Sequence, residues 1–404
     1  MTIRMDEGAA ELLDTLHRAG YAAYVVGGCV RDSLLGLTPH DWDLCTSALP
    51  QQVMELFGAQ RCIPTGLQHG TVTVKQSGAL YEITTFRTEG TYTDGRHPDE
   101  VHFVPDVRED LARRDLTINA MAYNEKEGLV DPFGGQADLQ SGIVRAVGVP
   151  RQRFTEDALR ILRLYRFAAR FGFSIDPPTA QAAQELCAHL DCVSVERIEE
   201  ELAKLLSAPA PAAYLDEKIL GVVLPELSPE ELAAAKPVVD ACPAGEQALP
   251  VRLAALLLSL GEDGTRRTLR RLRCSNACIE ETAVLVREVV SGVPVSLNIY
   301  TRKLLGQYGL KTVRRLAALG TALQPERSAD FAALSELAER LDADGVCCRV
   351  SQLAVNGRDL MAAGVPAGPG IRKVLEALLD GVIREEYPNE RQALLAAVQQ
   401  LAAS

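Results

Sequence analysis

A chain of 404 residues with 47% apolar and 24% charged side chains is long enough for about two to four domains with ample cores. Its formal charge of −12 argues against a generic polyanion binder, so any nucleic-acid partner has to be met by local basic patches. The longest apolar run, residues 253–258, is far too short to span a bilayer, and no membrane or protein partner is implied. Ten cysteines are scattered without a CxxC pair; Cys274 and Cys278 sit four apart, Cys347 and Cys348 are adjacent, and the histidines lie far from these. The expectation is a reduced, cytoplasmic chain rather than a zinc site.

The first twenty residues read as an amphipathic helix, over 6–20 and closed by Gly20; its acids and its lack of an unbroken apolar stretch are unlike a signal peptide. Tyr24-Val25-Val26 reads as a strand that breaks at Gly27-Gly28, followed by a short helix with Val30, Leu34 and Leu35 on one face and Gly36 as its stop. Asp41-Trp42-Asp43-Leu44 then alternates like a strand, and period two puts Asp41 and Asp43 on the same face. Two carboxylates one pleat apart are a natural seat for Mg2+, which takes carboxylates together with substrate phosphate oxygens. Gly27 and Gly28 leave backbone amides bare for triphosphate oxygens, and Arg31 adds a cation nearby. A lone DxD is common in acidic proteins as a solvated turn. Strand, GG turn, Arg-Asp helix and then DxD thirteen residues after Gly28 is a far more specific combination.

GGxVRDxLLG followed by DxDxxT resembles the head of tRNA nucleotidyltransferases and bacterial poly(A) polymerases, in the polymerase-β-like superfamily. The resemblance implies two-metal transfer of a nucleoside monophosphate onto a hydroxyl. Residues 61–63, 70–75, 80–86 and 101–104 read as short strands, and Glu82 is the best candidate for a third carboxylate beside the metals. The polar stretch 87–98 reads as a mobile loop placed to act as a lid; similar enzymes need such a loop when they switch from adding C to adding A. Residues 113–122, RRDxTxNAMA, resemble the family's second head motif, with Arg114 as a triphosphate or ribose contact. DPFGG at 131–135 resembles the connector that ends the head near residue 146.

Residues 154–167 read as one helix with Thr155 as its N-cap, in which Asp157 and Arg160 are neighbours on one face and Arg163 and Arg166 extend the row. The stretch EDALRxxRxxRF resembles the family's nucleotide-selecting motif. Cytosine and adenine both offer an amino donor beside a ring-nitrogen acceptor, whereas uracil and guanine offer a carbonyl beside an N–H. A carboxylate next to a guanidinium matches the first pattern and clashes with the second, so Asp157 and Arg160 would accept CTP and ATP without a template.

From residue 178 onward the chain reads as almost wholly helical. Residues 195–206 resemble the family's neck helix and are expected to be a strut. Leu258 and Ser259 stand where relatives with a phosphohydrolase module have a His-Asp pair, so phosphodiesterase activity is not expected. Three arginine-rich clusters, at 145–170, 266–273 and 302–315, suggest a clamp on a phosphate backbone. Residues 355–379 resemble the tail of the Gram-positive-type enzymes.

The chain as a whole resembles the class II CCA-adding tRNA nucleotidyltransferases. That resemblance implies an α+β fold: a mixed-sheet head over 1–146, a helical neck with the nucleotide-selecting helix over 147–207, a helical body over 208–325 and a helical tail over 326–404. It implies tRNA as partner, CTP and ATP as substrates and Mg2+ as cofactor. A CC-only or A-only enzyme, or a poly(A) polymerase on the same head, is the alternative.

Overall fold

The computed structural model describes residues 3–64, 66–90, 100–290, 292 and 298–401. They form two compact units, Met1–Pro229 and Glu230–Ser404. In the first, helix α1 (Glu7–Arg18) starts on the side chain of Asp6, which accepts from the Ala9 amide at 3.1 Å, and its Leu12, Leu13 and Leu16 are buried. Strand β1 (Ala23–Val26), helix α2 (Gly28–Leu34), strand β2 (Leu44–Thr46) and helix α3 (Pro50–Phe57) follow. Then come β3 (Cys62–Ile63), β4 (Thr71–Gln76), β5 (Ala79–Thr85), β6 (Arg87–Glu89) and β7 (Val101–Phe103). Helix α4 (Val107–Ala112) leads to β8 (Ala122–Asn124) and β9 (Gly128–Val130).

Seven of these strands make one sheet in the order β3-β4-β5-β2-β1-β8-β9. Strand β2 lies between antiparallel β1 and parallel β5, so the sheet is mixed, as expected for this head. Tyr24, Val26, Cys45 and Phe86 meet Val107 and Leu111 of α4 in one buried cluster. The fully buried Phe86 alone withdraws enough apolar surface to contribute about 2–3 kcal/mol.

Two expectations change. The strand expected at residues 41–44 begins only at Leu44. Asp41 and Asp43 form an exposed run-in to it, although the Asp43 carbonyl already accepts from the Val26 amide at 2.9 Å. The stretch expected as a loop over 87–98 starts as a strand, because Arg87, Thr88 and Glu89 pair antiparallel with Phe103, His102 and Val101. Residues 91–98, the remainder of the expected lid, lie outside the described residues.

Helices α5 (Gly135–Ser141), α6 (Pro150–Glu156), α7 (Leu159–Phe171), α8 (Pro177–Leu186), α9 (Val195–Leu206) and α10 (Glu217–Val223) complete the unit; α11 (Pro229–Ala241) carries the chain into the second. Among its described residues the second unit has helices and no strand. It contains α12 (Leu249–Leu257), α13 (Gly261–Arg271), α14 (Asn276–Val290) and α15 (Asn298–Leu323), the last broken at Gly309. Next are α16 (Ser328–Ala343), α17 (Gly357–Ala362), α18 (Gly370–Ile383) and α19 (Arg391–Leu401), whose last three members share a core of Leu360, Leu378, Val382, Leu394 and Val398.

The DPFGG turn has a specific steric cause. Asp131 accepts from the amides of Gly135 and Gln136 at 2.7 and 2.9 Å, which caps α5 and draws Gly135 onto the chain at Thr117. A Cβ on Gly135 would lie 2.2 Å from the Thr117 carbonyl oxygen. Backbone cannot yield as a flexible side chain can, so Gly135→Ala is expected to lower stability by about 2–3 kcal/mol, the range of strained overpacking. Urea denaturation checks this, with Gly142→Ala, at a half-buried, left-handed helix end where an added Cβ meets only Phe173 at ordinary contact distance, as a milder control.

Candidate active site

The GG turn is built by backbone geometry. Gly27 adopts φ 77° and accepts from the Arg31 amide at 3.1 Å as α2 begins; its own amide is spent on the Met121 carbonyl at 3.0 Å, so of the two amides expected to be bare this one is not. A side chain there would be strained by φ and would also press on Arg114, whose Nη1 lies 2.9 Å from where a Cβ would stand. The guanidinium of Arg114 therefore lies against the turn. Its Nη2 reaches Asp110 at 3.5 Å, while its Nε is buried with no hydrogen-bond partner.

On the other side of β1, the parallel register of Leu44 with Ile83 sets Asp43 beside Glu82. Although Asp43 keeps one side open to solvent, the protein packed around it strips water from its carboxyl and raises it, and so do the negative charges of Glu82 and Asp41, against the opposing pull of Arg114. The alternation expected of this segment holds in exposure: Asp41 and Asp43 are open to solvent and Trp42 between them is half-buried. Asp41, Asp43, Glu82, Arg114 and the GG turn thus share one locality. Among the described residues no group of three or more His, Cys, Asp or Glu is arranged to hold a metal ion by itself. Any ion here has to complete its shell with substrate and water oxygens, which suits a pair of carboxylates and a triphosphate.

Arg31 is placed differently from the expectation of a cation beside the triphosphate. It is buried, with Nε and Nη2 at 2.8 and 2.7 Å from Asp32 and Nη1 donating to Asn119. Its guanidinium lies 4.9 and 5.2 Å from the ring centres of Phe167 and Phe171. Burial lowers its pKa, and these contacts tie α2 to α7.

The helix expected over 154–167 is two helices. The chain turns extended at Asp157, with φ −146° and ψ 105°, so α6 ends at Glu156 and α7 starts at Leu159. Thr155 is no N-cap; its hydroxyl donates back to the Arg151 carbonyl inside α6. The break arises because Asp157 itself serves the new helix start, accepting from the Leu159 amide at 3.1 Å. Asp157 and Arg160 remain neighbours but do not pair with each other. Asp157 takes both Nη atoms of Arg197, at 2.8 and 3.4 Å, and Arg160 takes Glu156 at 2.7 Å and the Arg113 carbonyl at 3.0 Å.

Arg163 and Arg166, which extend the row in sequence, are each occupied by protein. Arg163 holds Asp115 at 2.7 Å, and Arg166 holds Glu201 at 2.6 Å while lying 3.9 Å from the Phe167 ring centre. Asp115, Arg197 and Glu201 were missed as members of this network. For Glu201 a signal was present: it falls on the stripe of Ile198, Leu202 and Leu205, so an acid stands on the buried face of α9.

The basic clusters are largely neutralised. Arg145 pairs with Asp138 and Asp176, Arg151 with Glu185, and Arg170 with Asp32. In the second unit Arg302 pairs with Glu385, Lys303 with Asp380, Arg314 with Glu339 and Arg315 with Glu281. The expectation of three clamps is therefore reduced, since paired arginines offer little charge to a phosphate. The exposed Arg267 and Arg270, one turn apart on α13, best keep that capacity.

Residues 23–145 match the poly A polymerase head domain, 172–230 a model described as an RNA and SrmB-binding site of polymerase A, and 251–398 the tRNA nucleotidyltransferase domain 2. The chain is 36% identical over 403 residues to a CCA-adding enzyme of Lactiplantibacillus plantarum, covering 96% of this chain and 95% of that one. It is also 36% identical over 392 residues to the enzyme of Geobacillus stearothermophilus, covering 96% and 95%. The chain belongs to the family of CCA-adding enzymes. The crystal structure of the Bacillus stearothermophilus CCA-adding enzyme in complex with CTP is similar at a TM-score of 0.84 and 32% identity, covering 99% of this chain and 98% of that one. The Thermotoga maritima CCA-adding enzyme, solved with tRNA, shares the fold at 22% identity and a TM-score of 0.69, covering 99% and 97%. Nucleotidyltransferases of this head type generally use a divalent metal. No described helix is long and apolar enough to cross a membrane.

Asp115 lends itself to a stability test. Burial alone would raise its pKa, but Arg163, Arg160 and a hydrogen bond from Asn119 together hold it well below the usual carboxylate range. A depressed folded-state pKa contributes stability that is present above the unfolded value, about 4, and lost as pH falls below it. Asp115→Asn is therefore expected to be less stable at pH 7 and to lose less on acidification from pH 5 to pH 2, read as urea midpoints across that range.

Proposed function

We infer that this chain adds CCA to the 3′ end of tRNA without a template, using CTP, ATP and Mg2+, in the cytoplasm. The supporting observation is the convergence of Asp41 and Asp43 with Glu82 on one side of the GG turn and Arg114 on the other. Asp41 and Asp43 would hold the metal. Their mutual repulsion and that of Glu82, which raise the Asp43 carboxyl, are what a bound cation relieves. When bound, Mg2+ supplies charge stabilisation at the reacting phosphate and lowers the pKa of the attacking 3′-hydroxyl.

The chain's own groups do the rest. The Gly28 amide at the start of α2 and the guanidinium of Arg114 against the turn would hold the triphosphate and stabilise the charge that develops on it. Asp157 would accept the base amino proton and Arg160 would donate to the ring nitrogen. Arg163 and Arg166, with Arg31, would act from behind by bracing α7 and α2. We place the head at 1–146, the neck at 147–207, the body at 208–325 and the tail at 326–404.

The deciding experiment gives tRNA transcripts ending at the discriminator base, at C and at CC to the protein with labelled CTP or ATP and Mg2+. Three productive steps stopping at CCA support the reading. A long A tail would mean a polymerase, and a stop at CC or a need for a CC end would mean a partial enzyme. Asp43→Ala is expected to cut incorporation roughly a hundredfold or more. For the tRNA grip, Arg267→Glu with Arg270→Glu should weaken tRNA binding and flatten its log K against log salt slope by about 2, leaving KM for CTP unchanged.

A further inference from the structure

The charges around the two base-reading side chains are arranged so that these never meet. Asp157 and Arg160 are three residues apart at a helix start, where an unattended carboxylate and guanidinium would close on each other through strong charge-assisted bonds. Closure would consume the hydrogen-bonding edges needed for a base. Each instead has a counterion on its far side. Glu156 bridges Arg153 and Arg160, at 2.5 and 2.7 Å, and Arg197, from α9, takes Asp157.

An inventory of bonds shows what is left over. Of the roughly four acceptor directions of the Asp157 carboxylate, Arg197 takes two and the Leu159 amide takes a third, leaving about one. Arg160 spends its Nη1 hydrogens on Glu156 and the Arg153 carbonyl and one Nη2 hydrogen on the Arg113 carbonyl. Its Nε–H and one Nη2–H stay open. One acceptor beside a free donor, in that order, is what the shared edge of cytosine and adenine requires; a uracil or guanine edge presents its donor and acceptor in the opposite order.

We propose that Arg197 is a specificity-determining positioning residue: by holding both oxygens of Asp157 from the neck helix, it keeps the carboxylate off Arg160 and open to the base. It touches no substrate itself. Both Arg197 and Asp157 are mostly buried, at 23% and 14% side-chain exposure, so solvent does not replace the pairing when it is lost. Without Arg197 the carboxylate can turn to Arg160, the reading edge closes, and the nucleotide is held by its triphosphate alone.

This rests on the reading of Asp157 and Arg160 given above. The test measures kcat/KM of the full-length protein for CTP, ATP, UTP and GTP on tRNA transcripts, beside thermal unfolding. Arg197→Gln is expected to lose roughly ten- to hundredfold of the CTP-over-UTP preference, mainly through KM for CTP, the effect of losing a bond between charged groups. A ratio taken within one protein cancels any general loss of activity, which a merely structural role would produce. Arg197→Lys keeps the charge but cannot span both oxygens; it is expected to fall several-fold, and it decides the matter if Arg197→Gln does not fold. A folded variant of either kind whose ratio stays within twofold of the unaltered protein overturns the proposal. If the unaltered protein does not prefer CTP to UTP, or Asp157→Ala leaves that preference intact, the reading of the site has failed instead.

Discussion

Glu201 carries a negative charge into the interface between α9 and α7, and the arrangement of the first unit depends on how that charge is met. Burial opposes both members of its main pair, pushing the Glu201 carboxyl up and Arg166 down to about 10. Arg163 stands 3.8 Å from the same carboxylate and reaches on to Asp115, in the strand-flanking motif of the head. Helix α9, helix α7 and the head are thereby joined by one run of alternating charges. Removing a single member would strand its partner in a dry interface, at a cost of about 3–5 kcal/mol.

The same run explains why a helix rich in arginine can serve a triphosphate site without filling it. The face of α7 that carries Arg163 and Arg166 is anchored to protein, and Phe167 and Phe171 stack under the guanidinium of Arg31. On the proposed reading, what remains for a nucleotide is the GG turn, Arg114, the carboxylates beside β5, and the kinked segment at Asp157. The GG turn is held by backbone geometry, and Arg114 and Asp157 each by an ion pair, so little reorganisation of these is left for the moment of binding.

Much of this was legible in residue order alone. Short spacing is a local property, so the Gly27-Gly28 turn, the exposure of Asp41 and Asp43 on either side of Trp42, helix α1 and the helix at 195–206 could be read without contacts. The strand start at Leu44 and the break at Asp157 could not. The first depends on partners elsewhere in the chain, the Val26 amide and Ile83; the second turns on whether the Asp157 side chain serves the Leu159 amide or stays in the helix, which residue order leaves open. Basic clusters misled for a related reason, because a run of arginines shows its own charge but not the Glu and Asp residues brought opposite it.

The sequence by itself determined the chemistry, since which side chains can bind metal, phosphate or a base edge is set by residue type and short spacing. It also determined the family and the alternation of a mixed-sheet head with a helical remainder. Only the tertiary structure decided which arginines are free and which are spent, that Arg31 faces inward, and that Asp157 and Arg160 each answer to a different partner. Charge in a folded protein is a property of pairs, and several of the deciding pairs here, Arg163 with Asp115 and Arg197 with Asp157, join residues tens of positions apart.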